Sequence, residues 1–179
     1  MINFSSQITQ RVLGYFLLNP ETELYLNEMA RKFDVDRGNL TRKLSEWEKE
    51  GIFQKRQRGN LSLYKINRKY PLLREMENIA KKSFGLEQEL KNKLEKIESL
   101  KTAIIFGSYA KDKLEMESDI DLLLVGSHDF LETQKIIVKL QKKFDREINI
   151  IDMTEKEFIK EKKKELVKNI FSQKYIKII

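Results

Sequence analysis

At 179 residues the chain has room for one domain or two small ones, and 40% hydrophobic with 35% charged residues is a globular rather than a disordered composition. It has no cysteine, which excludes disulfides and thiolate metal sites, no apolar run near the roughly 18 residues of a membrane span, and no signal-peptide pattern at its start, so a cytoplasmic protein without a membrane partner is expected. The net charge of +7 is uneven: residues 1–70 hold 13 Lys+Arg against 8 Asp+Glu, a net of +5, whereas residues 101–152 hold 8 against 10, a net of −2. A polyanion suits the first region and a cation the second.

Taken in chain order, Ile8 to Leu18 has the apolar spacing of a helix and stops before Asn19-Pro20. A second short helix is expected from about Glu28 to Phe33, with Asn27 as its N-cap. Asp36 can cap a third, which runs to Glu50 and ends at Gly51. Leu40, Leu44 and Trp47 make its buried face, and Gly38, Arg42, Ser45 and Lys49 its outer one, flanked by Asn39 and Thr41. Two helices joined by a three-residue turn, the second polar and basic outward, read as a helix-turn-helix.

A hairpin follows, Ile52 to Gln57 and Leu61 to Ile66, turning at Arg58-Gly59-Asn60. With it, residues 6 to 70 resemble the winged helix-turn-helix of many prokaryotic transcription regulators. The resemblance is one of topology. It implies double-stranded DNA as partner, with Arg37, Asn39, Thr41 and Arg42 at base edges and backbone and Lys55, Arg56 and Arg58 at phosphates. A winged helix used only for protein contacts is the competing reading.

From Tyr70 to Leu100 the chain is charge-balanced, 6 against 6. Pro71 opens a helix that Gly85 interrupts, and Leu86, Leu90, Leu94 and Ile97 then form one apolar stripe. A connecting helix packed on one domain and a homodimer seam both fit this pattern.

The run Thr102 to Phe106 is short, apolar and β-branched, as a buried strand should be, and ends on Gly107-Ser108. Strand, glycine, serine and a new helix would point backbone N–H groups and a hydroxyl at one spot, where anions are stabilised. After nine intervening residues comes a second strand, Ser118 to Val125, whose period-two geometry puts Asp119 and Asp121 on one face, about 7 Å apart. Such a pair suits Mg2+, which takes one or two carboxylates plus substrate phosphates. A polar stripe on a half-exposed strand is the bland alternative, but burying two like charges without a cation is costly.

This stretch, Gly107-Ser108 through Asp119-Ile120-Asp121 to Val125, resembles the minimal nucleotidyltransferases of the DNA polymerase β-like superfamily, over about residues 101 to 155. The resemblance implies an NTP, ATP being expected, held by Gly107, Ser108 and Lys111, and two Mg2+ ions at Asp119 and Asp121. Asp112 departs from the glycine common in the family. The family's third acid is expected on the strand Arg146 to Asp152, where Asn149 occupies its place with Glu147 on the same face. An amide ligates a cation weakly and is a poor base, so either Glu147 takes the acid's role or transfer is weakened.

Towards the carboxyl end, Ser127 is a candidate cap for a helix to Phe144, with Ile136, Ile137 and Leu140 inward and His128 a surface residue in its first turn. Thr154 and Glu157 fit a capping box, Lys160 to Lys164 a solvated face, and Phe171 to Ile179 a final strand or turn against the sheet. The expected fold is α+β: a winged helix-turn-helix at 1–70, a connecting helix at 71–100, and a small mixed-sheet nucleotidyltransferase domain flanked by helices at 101–179. Two functions stay open. One is transfer of a nucleoside monophosphate to a hydroxyl of a protein or small molecule, the antitoxin members of the family implying a helical toxin-like partner; the other is a degenerate site that only senses nucleotide and regulates DNA binding.

Overall fold

The computed structural model describes residues 2–111, 119–162 and 164–179, and Asp112 and Ser118 fall outside them. The protein is a mixed α+β chain in two compact units, Met1–Gly85 and Leu86–Ile179.

In the first unit α1 (Gln7–Leu18) leads through a two-residue strand, β1 (Leu24–Tyr25), into α2 (Leu26–Lys32). Asn27 is not the cap of α2. That helix begins two residues earlier than its polar pattern suggests, at Tyr25, whose backbone N–H donates to the Glu28 carboxylate at 3.3 Å. The turn that follows has four residues, not three, because Asp34 adopts a left-handed backbone with φ 48°. The Arg11 guanidinium fixes it by donating to the carbonyls of Phe33 at 2.9 Å and Asp34 at 2.7 Å.

Asp36 then caps α3 (Arg37–Lys49), accepting from the Asn39 N–H at 2.8 Å. Leu40, Leu44 and Trp47 are buried as their spacing predicts. A hairpin, β2 (Phe53–Arg58) and β3 (Leu61–Ile66), closes on the pair Gly59-Asn60, and β1 adds to β3, giving a sheet of order β1-β3-β2. Arg58 pairs with Leu61, so the turn is two residues long with Gly59 at φ 59°. The core gathers Phe16, Phe33, Trp47 and Phe53, with Trp47 stacked on Phe53 at 5.4 Å and Phe16 edge-on to Phe53 at 5.1 Å.

The segment after the hairpin is two helices. α4 (Leu73–Ser83) packs against α1 and buries Met76 and Ala80; α5 (Leu86–Leu94) belongs to the second unit. Gly85 stands between them because a Cβ there would press on the Ala80 carbonyl at 2.7 Å.

The second unit is built on β4 (Leu100–Phe106), a short α6 (Gly107–Ala110), β5 (Ile120–Gly126), α7 (Phe130–Phe144), β6 (Ile148–Met153), α8 (Glu155–Glu161), α9 (Glu165–Ser172) and β7 (Ile176–Lys177). Its sheet has the order β6-β5-β4-β7, with β5 and β6 parallel and β4 antiparallel to both β5 and β7. Leu122, Leu123, Leu124, Ile104 and Ile105 are almost wholly buried, as central strands covered on both faces require.

Two expectations for this unit change. α7 is capped by Asp129, not Ser127, since its carboxylate accepts from both the Leu131 and Glu132 N–H groups. His128 is not a surface residue: its ring is 1% exposed and its Nε2 lies 3.3 Å from Asp152 Oδ1 on β6. As expected, the segment from Phe171 reaches the sheet after α9 ends, Ile176 and Lys177 pairing with β4 and the Ile178 N–H donating to the Ala103 carbonyl at 2.8 Å. Among the described residues no helix is long and apolar enough to cross a membrane.

Candidate active site

β4 delivers Gly107 at φ 74°, a backbone conformation that side chains resist. A Cβ at this position would overlap the Asp121 carboxylate, so the glycine lets the turn lie directly against the acid. Ser108 is half-buried in α6, and Lys111 follows as its C-cap, with the Lys111 N–H donating to the Ser108 carbonyl at 3.2 Å. Tyr109, next in the turn, is buried, and its hydroxyl lies 3.3 Å from the Glu87 carboxylate on α5.

Asp121 enters from the next strand, directly opposite Phe106. Asn149 of β6 is its parallel neighbour. The Asn149 amide donates from Nδ2 to Asp119 Oδ2 at 3.0 Å, so the two acids and the amide meet at one end of the sheet. Burial lifts the Asp121 carboxyl above its usual range, the Asn149 amide partly offsets the rise, and the Asp119 charge adds to it. Two half-buried carboxylates side by side, one of them reluctant to ionise, are a donor set of hard oxygens suited to a divalent cation.

Glu147 stands just before β6, its carbonyl accepting from the Ile120 N–H at 2.9 Å and its side chain exposed. Among the described residues no three His, Asp or Glu side chains gather closely enough to share an ion. Pattern reading missed the burial of His128 and the link from Tyr109 to Glu87; a histidine flanked by polar residues and a tyrosine in a turn carry no periodic signal of either.

With the strand, glycine turn and paired acids in place, comparison with known proteins decides the family. A family model described as "Nucleotidyltransferase domain" matches residues 87–178. The chain belongs to the nucleotidyltransferase family. Over 61 residues it is 43% identical to "Putative protein adenylyltransferase MJ0604" of Methanocaldococcus jannaschii, an alignment covering 34% of this chain and 61% of that protein. The chain thus spans about three fifths of the length of this curated relative.

Among solved structures, one described as a toxin-antitoxin with AMP-PNP aligns at 17% identity over 52% of this chain and 73% of that one, with a TM-score of 0.39. TrmBL2, described as an archaeal chromatin protein with a novel mode of DNA binding, aligns at 17% identity over 91% and 69%, with a TM-score of 0.29.

In the first unit the residues expected to meet DNA lie on two exposed surfaces. Arg37, Gly38, Thr41, Arg42, Ser45 and Lys49 line an open groove along α3. Asn39 is exposed beside them, while Thr41 Oγ1 donates to the Arg37 carbonyl at 2.8 Å. Lys55, Arg56 and Arg58 are exposed along β2, with Lys55 Nζ 5.9 Å from the centre of the Tyr64 ring.

Proposed function

We propose that this nucleotidyltransferase is Mg2+-dependent and transfers AMP from ATP to a hydroxyl group of a partner protein, the antitoxin-type reaction. The observation that carries this reading is the direct contact of the Gly107 turn with the Asp121 carboxylate, next to Asp119. It joins an anion-binding turn to a cation-binding pair, as a metal-complexed triphosphate requires.

In this reaction the acceptor oxygen bonds to the α-phosphorus, the bond from that phosphorus to the bridging oxygen breaks, and pyrophosphate leaves with its electrons. Asp119 and Asp121 would hold the ions, which when bound neutralise the triphosphate's charge. The backbone N–H groups at Gly107 and Ser108, with the Ser108 hydroxyl, hold phosphate oxygens, and Lys111 adds a positive charge at the end of the turn. Glu147 is assigned the hydroxyl proton, being the acid beside Asn149 on that side of the sheet.

The first unit is assigned to double-stranded DNA as a winged helix-turn-helix, with α3 in the major groove and β2 along the backbone. Its support is the helix order and three-stranded sheet, the capped α3, and the exposed cations Arg37, Arg42, Lys55, Arg56 and Arg58. A homodimer would match a palindromic site.

One observation favours a second reading, a nucleotide sensor without transfer. Asn149 turns its amide N–H toward Asp119, where a catalytic acid would carry charge. Incubation with α-labelled ATP, Mg2+ and candidate acceptor proteins separates the two. Transfer that disappears in Asp119→Ala/Asp121→Ala and drops at least about 100-fold in Glu147→Gln supports the enzyme. ATP binding without transfer, gained only in Asn149→Asp, supports the sensor.

A further inference from the structure

The sheet of the second unit brings several strand ends to one margin. β7 lies antiparallel to β4 with Ile176 opposite Ile105, and Tyr175 is the residue just before β7, at the end of the pair where β4 reaches Phe106. On the other flank Phe106 is opposite Asp121, and Asp121 is beside Asn149. Cross-strand neighbours share a face, so Phe106 and the acidic pair look the same way.

α8 and α9 cover that face further along. Phe158 packs there with Phe106 and Ile151 on the cluster of Ile104, Leu123 and Ile170. Two more rings continue outward from Phe158: Phe171 stands edge-on to it at 5.9 Å, and Tyr175 edge-on to Phe171 at 5.2 Å. The series starts at Phe158, partly buried against the core, and ends in solvent, with Phe171 37% and Tyr175 41% exposed. Scattered apolar residues on a surface need no explanation, but two touching rings at the rim of a ligand site do.

We infer that Phe171 and Tyr175 form the wall against which the nucleobase of the NTP stacks. This rests on the reading of Gly107 and Asp121 as the phosphate and metal end of the site. Two strand spacings, about 10 Å, separate Tyr175 from Asp121 across β4. A nucleotide with its phosphates at Gly107 therefore lays its base over β4 onto the rings. Stacking needs a flat π face rather than a hydrogen-bonding code, so the wall favours purines over no base at all and separates adenine from guanine weakly.

The test uses the full chain with Mn2+ and two probes, ATP and inorganic tripolyphosphate, in calorimetric titrations. Wild type should bind ATP more tightly than tripolyphosphate. Tyr175→Ala should weaken ATP roughly tenfold and leave tripolyphosphate unchanged, a loss typical of one stacked base. Tyr175→Trp should retain ATP affinity, and its fluorescence should be quenched by ATP but not by tripolyphosphate; this arm stands even where the alanine variant folds poorly. Equal binding of the two probes by wild type, or a Tyr175→Ala loss shared by both, overturns the stacking wall alone. Wild type that binds neither probe overturns the phosphate site and the wall with it.

Discussion

At the scale of single residues the site is decided by what is small and what is uncharged. Gly107→Ala combines a positive φ with overlap on Asp121, so it should abolish nucleotide binding and lower the thermal midpoint, measured by calorimetric titration and by melting. Asn149 donates to one acid where a third carboxylate would repel both. Asn149→Asp should therefore melt lower than wild type without metal and gain more from added Mg2+; an unchanged response to Mg2+ would make the amide a bystander.

Asp152 offers a pH test apart from the proposed metal ligands. Burial raises its carboxyl above the usual range, and the charge of His128 only partly opposes this. A carboxyl raised on folding binds its proton more tightly folded than unfolded. Its contribution is therefore favourable in acid and is lost as pH rises from the ordinary carboxylate range through the raised value. Asp152→Asn should gain stability relative to wild type on moving from about pH 4 to pH 7, by thermal melts across that range. A difference constant with pH would show that the aspartate ionises without cost.

At the scale of elements, the caps show what a linear pattern conveys. Asp36 and Thr154 sit one step before their helices, and both cap as read: Asp36 accepts from the Asn39 N–H, and Thr154 and Glu157 exchange bonds as a box. Asp36→Ala should cost about 1 kcal/mol, read from denaturant unfolding of the whole chain. Asn27 and Ser127 were equally plausible as caps by residue type, yet the chain selects Tyr25 and Asp129. Strand pairing to β3 carries Leu24 and Tyr25 straight into α2, and Asp129 reaches two N–H groups of α7. Capping chemistry is legible locally, whereas the choice between nearby candidates is made by neighbours distant in sequence.

The same distinction holds for the site. Gly107, Asp119 and Asp121 stand out by spacing, and alternation along β6 puts Asn149 on the side where its amide meets Asp119. The aromatic series takes Phe158 from α8, Phe171 from α9 and Tyr175 from just before β7, so no single period links its rings. Only the pairing of β7 with β4 brings its end to the acids.

At the scale of the molecule, the basic unit and the nucleotidyltransferase unit predict separable behaviour. Binding of the whole protein to duplex DNA should weaken steeply with salt, and Arg42→Glu with Arg56→Glu should eliminate it while nucleotide binding persists. A flat salt response would remove the DNA assignment and leave the transferase reading intact.

The two paired residues of β7 also shield the outer side of β4, the strand that leads into Gly107. Stripped of residues 174–179, β4 would offer Ala103, Ile104 and Ile105 to any passing chain as an open hydrogen-bonding margin. Such a truncated protein should self-associate, and the fusion of bulky tags at that end should be checked for the same polymerising tendency.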